Sequence, residues 1–354
     1  MSSFVKLGDL THIRTGKLDA NASSENGQYP FFTCSKEPLR IASYSYDCEC
    51  VLVAGNGDLN VKYYDGKFDA YQRTYIIESA DKRKLLVKYL YFFLDIYVEV
   101  LRTQSIGGVI KYIKLGNLTD AHIPLPSIER QAEIIECLEN CNTLIDKRQR
   151  QIALIEQTVK SRFIELFGDP ETNPKGWTRQ RLDQICDNLD SRRVPITSTD
   201  RKAGNYPYYG ASGIVDYVKD YIFDEDILLI SEDGANLVMR STPIAFSVSG
   251  KVWVNNHAHV VRFESKATQK YIEICFALTD ISGSITGTAQ PKLNQAKLNA
   301  MMFCVPPIEL QEQFATFVEQ TDKSKYYSSL SFRYCQAAAN TYRQEWMTCR
   351  TSDF

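Results

Sequence analysis

Two short polar segments carry side chains that can hydrogen-bond to nucleotide bases. They are Tyr71-Gln72-Arg73 and Asn255-Asn256-His257, and each lies near a run of aromatic and β-branched residues. Arginine pairs with guanine, and asparagine or glutamine pairs with adenine, through two hydrogen bonds to the base edge. These types predict base contacts, while a phosphate contact or a role in the scaffold remains an alternative for both segments.

Cationic and amide side chains near predicted loops form a second set of candidates. Cations on phosphates position a protein on nucleic acid without reading its sequence. The candidates for phosphate contact are Lys36, Lys62, Arg192, Arg193 and Arg240. Further candidates for DNA contact, in or beside two loops rich in Gly, Ser and Thr, are Gln104, Lys111, Gln290 and Lys292. A solvated surface group is the alternative for each of these residues.

The sequence gives weaker support to metal binding, to a nucleotide cofactor and to catalysis. His257-Ala258-His259 places two imidazoles on one strand face, a possible metal pair, but no third ligand is evident and no metal is predicted. Gly55-Asn56-Gly57 could form a nucleotide-cofactor loop, yet Leu59–Tyr64 reads as strand where the fingerprint needs a helix. The catalytic tetrapeptide of DNA methyltransferases, Asn or Asp followed by Pro-Pro and an aromatic residue, is absent from the sequence. No catalytic residue is predicted.

Composition narrows the classes of protein further. The 354 residues are 44% hydrophobic and 24% charged, which fits a folded chain of two or three domains. The formal net charge of −2 is unusual for a protein that binds DNA alone, so a partner could supply much of the phosphate attraction. The ten cysteines have scattered spacings, which favours reduced thiols in a cytoplasmic protein. No signal peptide is predicted, and Leu85–Leu101 is too short and too charged to span a bilayer.

The elements that position these residues occur twice. Gln28–Ser35 reappears at Asn205–Ser212, and Asp47–Gly57 reappears at Asp224–Gly234, both 177 residues later. Two further blocks repeat in the same order at offsets of 184 and 180 residues, beginning at Gly66 and Ala121. Since 177 is half of 354, the repeat predicts two homologous domains in tandem.

Each copy has the same predicted plan. Short strands and turns come first, then a short helix near Val87–Leu101 or Gln269–Leu278, then a Gly-, Ser- and Thr-rich loop and a closing proline pair. A long helix follows in each copy. The first has apolar residues at 3.5-residue spacing through Leu138, Ile145, Ile152, Val159 and Leu166, and the second keeps this register less strictly. Such periodicity predicts a coiled coil in which the two helices pack on each other.

The chain resembles the specificity subunit of type I restriction–modification systems. The resemblance rests on IPLPSIERQAEI and VPPIELQEQF at the entries to the two helices, and on Phe163–Trp177 after the first. GKVWVNNHAHVV and Gly287–Gln295 also resemble the target-recognition domains of that family. The resemblance covers nearly the whole chain. The stretch Arg333–Phe354 is its least typical part.

The resemblance implies an α+β fold with two tandem, homologous, mixed α/β target-recognition domains, separated by two long helices that form an antiparallel coiled coil. The predicted domains are 1–128 and 178–308, the helices are 129–167 and 309–348, and 168–177 is a linker. Each domain would read half of a split DNA site. The helices would bind two modification subunits, which carry S-adenosylmethionine, and a restriction subunit could join. The chain itself would bind no cofactor and no membrane.

Partner contacts are predicted just past the proline pairs, where apolar side chains could receive a helix from another chain. The candidates are Ile134, Ile135, Leu138 and Phe314. Two other classes remain open at this point. One is a DNA adenine methyltransferase in its own right, and the other is a scaffold that binds methyltransferases without reading DNA.

Overall fold

The computed structural model describes residues 3–287 and 289–348, which form two compact units. The division falls after Gln149 and after Ser329, inside both long helices. Each unit therefore contains one of the tandem domains together with half of each helix. Thr288 and the last six residues of the atypical stretch that begins at Arg333 lie outside the described residues.

The first unit is built on a six-stranded sheet covered by a helix. Its strands are β1 (Ser3–Lys6), β2 (Thr11–Thr15), β3 (Tyr29–Phe32), β4 (Leu39–Ile41), β5 (Tyr46–Ala54), β6 (Val61–Ala70), β7 (Thr74–Ser79) and β8 (His122–Leu125). The sheet order is β2-β7-β5-β6-β3-β4, and β1 pairs separately with β8. The helices of this domain are α1 (Val87–Gln104) and α2 (Leu115–Thr119), and α3 (Ile128–Phe167) follows.

Helix α1 covers the sheet with one apolar face. Tyr89, Leu90 and Phe93 are buried on it and belong to one core with Val51 and Ile77 of the sheet. Burial of this kind is the main stabilising term in a domain of this size. The helix predicted near Val87–Leu101 is thereby confirmed, and strand β6 confirms that no helix follows Gly57.

The second unit repeats this plan with its strands broken into shorter pieces. They are β9 (Thr178–Arg181), β10 (Asp187–Asn188), β11 (Ala203–Gly210), β12 (Gly213–Val218), β13 (Phe223–Asp224), β14 (Ile227–Ser231), β15 (Ala245–Val248), β16 (Lys251–Val254), β17 (Ala258–Arg262) and β18 (Met302–Val305). The helices are α4 (Leu182–Ile185), α5 (Asn236–Met239), α6 (Lys266–Leu278), α7 (Gln295–Asn299) and α8 (Ile308–Thr348). Strands β15 and β16 correspond to the single strand β6, and Gly250, with φ of 78°, lies at the break.

The sequence repeat is also a repeat of strand register. Phe31 and Phe32 pair in parallel with Asp69 and Ala70, and the equivalent strands pair at Tyr208–Trp253 and Tyr209–Val254. These residues differ by the same 177 and 184 positions that separate the repeated segments of sequence. The two domains are therefore built on one topology.

The long helices pack on each other along the predicted heptad positions. In the first unit, Tyr342 and Trp346 of α8 pack against the core that contains Ile134 and Leu138 of α3. In the second unit, Phe314 and Val318 pack with Phe163 and Val159. Low residue numbers of α3 meet high numbers of α8 in the first unit, and high numbers of α3 meet low numbers of α8 in the second, so the two helices run antiparallel. Lys325 lies in the seam and forms an ion pair with Glu156 at 2.7 Å.

The partner contacts predicted at the helix entries are wrong. Ile134, Ile135 and Leu138 are buried in the core of the first unit, and Phe314 is fully buried in the second. These apolar residues lie where each helix leaves its domain, so the domain core covers them. Among the described residues, no helix is long and apolar enough to cross a membrane.

Candidate nucleic-acid interface

Four loops of the first domain are joined to one another by hydrogen bonds. We call them the first loop cluster: residues 33–36, 55–58, 71–73 and 105–113. The amide of Gly55 donates to the carbonyl oxygen of Arg73 at 2.8 Å, and the Ile113 amide donates to the Gly55 carbonyl at 3.0 Å. The Cys34 thiol lies 3.6 Å from the same Arg73 oxygen, and the Gly57 amide donates to Lys111 at 2.9 Å. Backbone bonds thus hold together loops that are far apart in sequence.

Several predicted DNA-contacting residues meet in this cluster. Gln72, Arg73 and Lys111 are exposed, and so is Lys36, whose ammonium is 3.9 Å from a carboxylate oxygen of Asp58. That ion pair is exposed and long, so it holds Lys36 weakly. The cluster therefore presents three cations and an amide that are free to meet a phosphate or a base edge.

The second domain has an equivalent second loop cluster, which comprises residues 209–212, 231–236, 255–258, 286–287 and 289–293. The Glu232 amide donates to the His257 carbonyl at 2.9 Å, and the Leu293 amide donates to Glu232 at 2.8 Å. The Gly234 amide donates to Pro291 at 3.1 Å. These three bonds match the three backbone bonds of the first cluster one for one, so each domain positions its loops with the same backbone frame.

An open cleft of about 540 Å³ lies beside this second cluster. Its walls include three predicted DNA contacts, Asn255, Asn256 and His257, together with Tyr208 and Arg201. Asn256 and His257 are exposed, and the His257 ring lies 2.9 Å from a carboxylate oxygen of Asp233. Asn255 is instead buried at the floor, where its side chain accepts a hydrogen bond from the His257 amide at 2.8 Å. Asn255 therefore shapes the turn that presents its two neighbours.

A buried polar network beneath the second cluster was not predicted from the sequence. Asp190 lies 2.6 Å from Nδ1 of His259 and accepts the Val260 amide at 2.8 Å. Arg193 donates to Glu232 at 2.6 Å and lies 3.4 Å from Asp190. The other ring nitrogen of His259 lies 2.7 Å from the Leu293 carbonyl. The network thus ties the strand that carries His259 to two loops of the cluster.

Opposing effects set the pKa values of the two buried carboxyl groups. Burial raises the pKa of Asp190, but the hydrogen bond and charge of His259, together with the Val260 amide and Arg193, hold it below its usual range. Burial likewise raises the pKa of Glu232, and its bonds to Arg193 and Lys292 outweigh that effect and lower it. Both groups are therefore stabilised as carboxylates in the folded domain.

Five further predicted contacts have hydrogen-bond or ion-pair partners in their own domains. Arg193 belongs to the buried network, and Arg240 donates to the Phe276 and Thr279 carbonyls at 2.7 and 2.8 Å, where α6 ends. Arg192 pairs with Glu225 at 2.6 Å. Lys62 is half-buried on Asn60, and burial lowers its pKa. Gln104 accepts a hydrogen bond from Asn117 at 3.2 Å. Lys62, Arg193 and Arg240 are partly buried on these partners, which corrects their assignment to DNA. Arg192 and Gln104 are exposed, so their contact with DNA stays a prediction.

The possible metal pair does not form. His257 lies in an exposed turn and His259 is buried in the network, so the two imidazoles face different surroundings. In the described parts of the chain, no group of three or more metal-ligating side chains is present. The nine cysteines of those parts are all free thiols.

The structure is similar to a solved structure of a specificity subunit. It matches the crystal structure of the S subunit of a type I restriction–modification system from M. genitalium with a TM-score of 0.69 and 16% identity, over 98% of this chain and 96% of the other. At that identity the likeness shows the fold alone. It confirms two mixed α/β domains together with two long helices.

The amino-acid sequence shows which family the chain belongs to. It matches the type I restriction modification DNA specificity domain over residues 2–157 and 174–326. It is 40% identical to the type I restriction enzyme EcoDI specificity subunit of Escherichia coli, over 89% of this chain and 80% of the relative. It is 22% identical to the MjaVIII specificity subunit of Methanocaldococcus jannaschii over 90% and 85%. The chain belongs to the family of type I restriction–modification specificity subunits, which are non-catalytic.

Proposed function

We propose that this chain reads a bipartite DNA site, with one loop cluster on each half, and recruits modification subunits to it. The observation that carries the proposal is the pair of loop clusters, which share one backbone frame but present different side chains. The first presents Gln72, Arg73 and Lys111, and the second presents Asn256 and His257. Two readers of different chemistry on equivalent frames suit a site whose two halves differ in sequence.

The partners in this proposal supply the chemistry. Two modification subunits carry S-adenosylmethionine and transfer its methyl group to adenine, and a restriction subunit can join the complex in the cytoplasm. In this proposal the chain itself binds no cofactor. The net charge of −2 supports a role for partners, because they would provide part of the attraction to the DNA phosphates.

The outer faces of the long helices are the surface that we propose for these partners. In the first unit, Leu144, Leu330 and Tyr334 are exposed, Tyr334 to 75%. In the second unit, Leu154, Tyr326 and Tyr327 are exposed, Tyr327 to 68%. Exposed aromatic side chains on a helix are typical of interface anchors. They replace the buried residues at the helix entries as candidates for partner binding.

Reconstitution tests the proposal. The purified chain alone should transfer no methyl group, whereas the chain with its modification subunits should methylate one bipartite motif, found by sequencing methylated bases with and without this chain. Methylation by the isolated chain after repurification would contradict the proposal. So would a complex that forms but protects and methylates no specific motif, which is the outcome expected of a scaffold that does not read DNA.

Charge placed on the helices tests the partner surface. Tyr327→Glu and Tyr334→Glu should each lower the number of modification subunits in the complex, measured by light scattering. Gln320→Glu, which adds the same charge at another exposed position of α8, should leave the complex mass unchanged. An unchanged mass for both tyrosine variants would show that partners bind elsewhere.

A further inference from the structure

The loop between α1 and α2 ends in an exposed apolar tip. We call residues 107–111 the first tip. The relative exposure of Val109 is 104% and that of Ile110 is 62%, and the flanking Ile106 and Tyr112 are also exposed. Exposed apolar side chains scattered singly need no explanation, but a group of four on one loop indicates a contact surface.

Backbone hydrogen bonds fix the shape of this tip. Ile106 and Tyr112 exchange both of their backbone bonds, at 3.0 and 2.9 Å, and Lys111 accepts the Gly57 amide at 2.9 Å. Gly107 has φ of 115°, and a Cβ added there would lie 2.5 Å from the Ile110 carbonyl oxygen. Only glycine fits this position. The two apolar side chains are therefore presented in a defined direction by a closed loop.

The second domain holds an equivalent tip on the same frame with different side chains. Thr286 and Lys292 exchange backbone bonds at 2.8 and 2.7 Å, and Pro291 accepts the Gly234 amide. Gly287 has φ of 81°, and a Cβ there would lie 2.4 Å from the Gln290 carbonyl oxygen. In this tip, Ala289 and Gln290 are exposed where the first tip has Val109 and Ile110. The two tips thus share their backbone hydrogen bonds but expose different side chains.

We infer that the first tip is a specificity element that recognises thymine through its C5 methyl group. This inference rests on the proposed function and names the group that the tip reads. The thymine methyl is the apolar feature of the major groove, and apolar side chains are what contacts it. Duplex DNA is the occupant that the charges favour, because Lys111 lies in the tip and Lys36 and Arg73 lie in the same loop cluster, all three exposed.

Uracil substitution tests the inference directly, since uracil pairs like thymine but lacks the methyl. The complex with its modification subunits is bound to its own methylation motif, in which each thymine is replaced by uracil in turn. The native complex should lose about fourfold in affinity at one or more thymines of one half-site, the factor expected for burying one methyl group. The double variant V109S/I110S should bind the thymine and uracil forms equally.

The control variant is Phe4→Ser, which removes an exposed apolar side chain of β1 outside the loop cluster and should keep the thymine preference. Specific binding with no uracil effect in either half-site would overturn the inference and leave the proposed function intact. So would a double variant that weakens binding while keeping the thymine preference. Loss of all sequence-specific binding by the native complex would instead overturn the proposed function itself.

Discussion

Nδ1 of His259 lies 2.6 Å from Oδ2 of Asp190, and both side chains are buried beneath the second loop cluster. The pair joins strand β17 to the turn at Asp190 that precedes Arg193, and Arg193 in turn reaches Glu232 in the cluster. A buried network of this kind fixes the position of the loops that it connects. The exposed residues Asn256 and His257 therefore depend on it for their geometry.

Substitution of one residue of the buried polar network should destabilise the second unit. His259→Ala leaves the buried Asp190 carboxylate without a hydrogen-bond partner at 2.6 Å, and a buried polar group left unsatisfied costs about 1–3 kcal/mol. The free energy of unfolding from urea titration should fall by that amount. His257→Ala, which removes an exposed imidazole two residues away, should change it by less than about 1 kcal/mol. Equal effects of the two substitutions would show that the buried pair is unimportant for stability.

Acid should weaken the second unit through the same network. Because the pKa values of Asp190 and Glu232 are lowered by folding, the unfolded chain binds protons more readily than the folded one. Their contribution to stability is complete above the ordinary pKa values of 3.8 and 4.5, and it is lost as pH falls through the lowered folded values.

The free energy of unfolding, measured from pH 7 downward, should therefore begin to fall near pH 4.5 for this part of the chain. Glu232→Gln should reduce the steepness of that fall, since one of the two titrating groups is removed. A slope that is unchanged in Glu232→Gln would contradict the assignment. Hydrogen exchange at the amides of β17 locates the effect in the second unit.

Phosphate contacts and base contacts of the first loop cluster should have different effects on DNA binding. Lys36→Ala should weaken binding to all sequences and reduce the slope of log affinity against log salt by about 1, as expected for one lost phosphate contact. Arg73→Ala should relax the preference at one position of one half-site, by about 1–3 kcal/mol. Lys82→Ala, which removes a cation that pairs with Glu49 at 2.6 Å, should do neither. A uniform loss of affinity in Arg73→Ala would make Arg73 a phosphate contact.

The long helices should set the spacing of the site. Four residues inserted near Arg148, balanced by four near Ser328, lengthen each helix by about 6 Å. That rise corresponds to about two base pairs of DNA. The half-site sequences should stay the same while the unspecified gap grows by about one or two base pairs, and sequencing of methylated bases reports this. An active variant with an unchanged gap would contradict the role of the helices as a spacer.

Helix packing and strand pairing could be predicted from the sequence where they depend on a local or repeated pattern of residues. The heptad positions through Leu138 and Val159 were predicted from periodicity, and the strand pairing at Phe32 and Tyr209 follows the repeat. Prediction from the sequence failed where burial depends on distant segments. Arg193 looks like a surface cation until Glu232 and Asp190 are brought to it by the fold, and Phe314 looks free to bind a partner until Phe163 covers it.

Exchange of one domain tests the central claim most directly. Residues 1–120 are replaced by the equivalent domain of a relative with a different methylation motif, while both long helices and the second domain are kept. Because each loop cluster reads its own half of the DNA site in the proposed function, the methylated motif should change in one half only. The other half and the gap between the halves should be preserved. A motif that changes in both halves, in an assembled and active complex, would contradict the account.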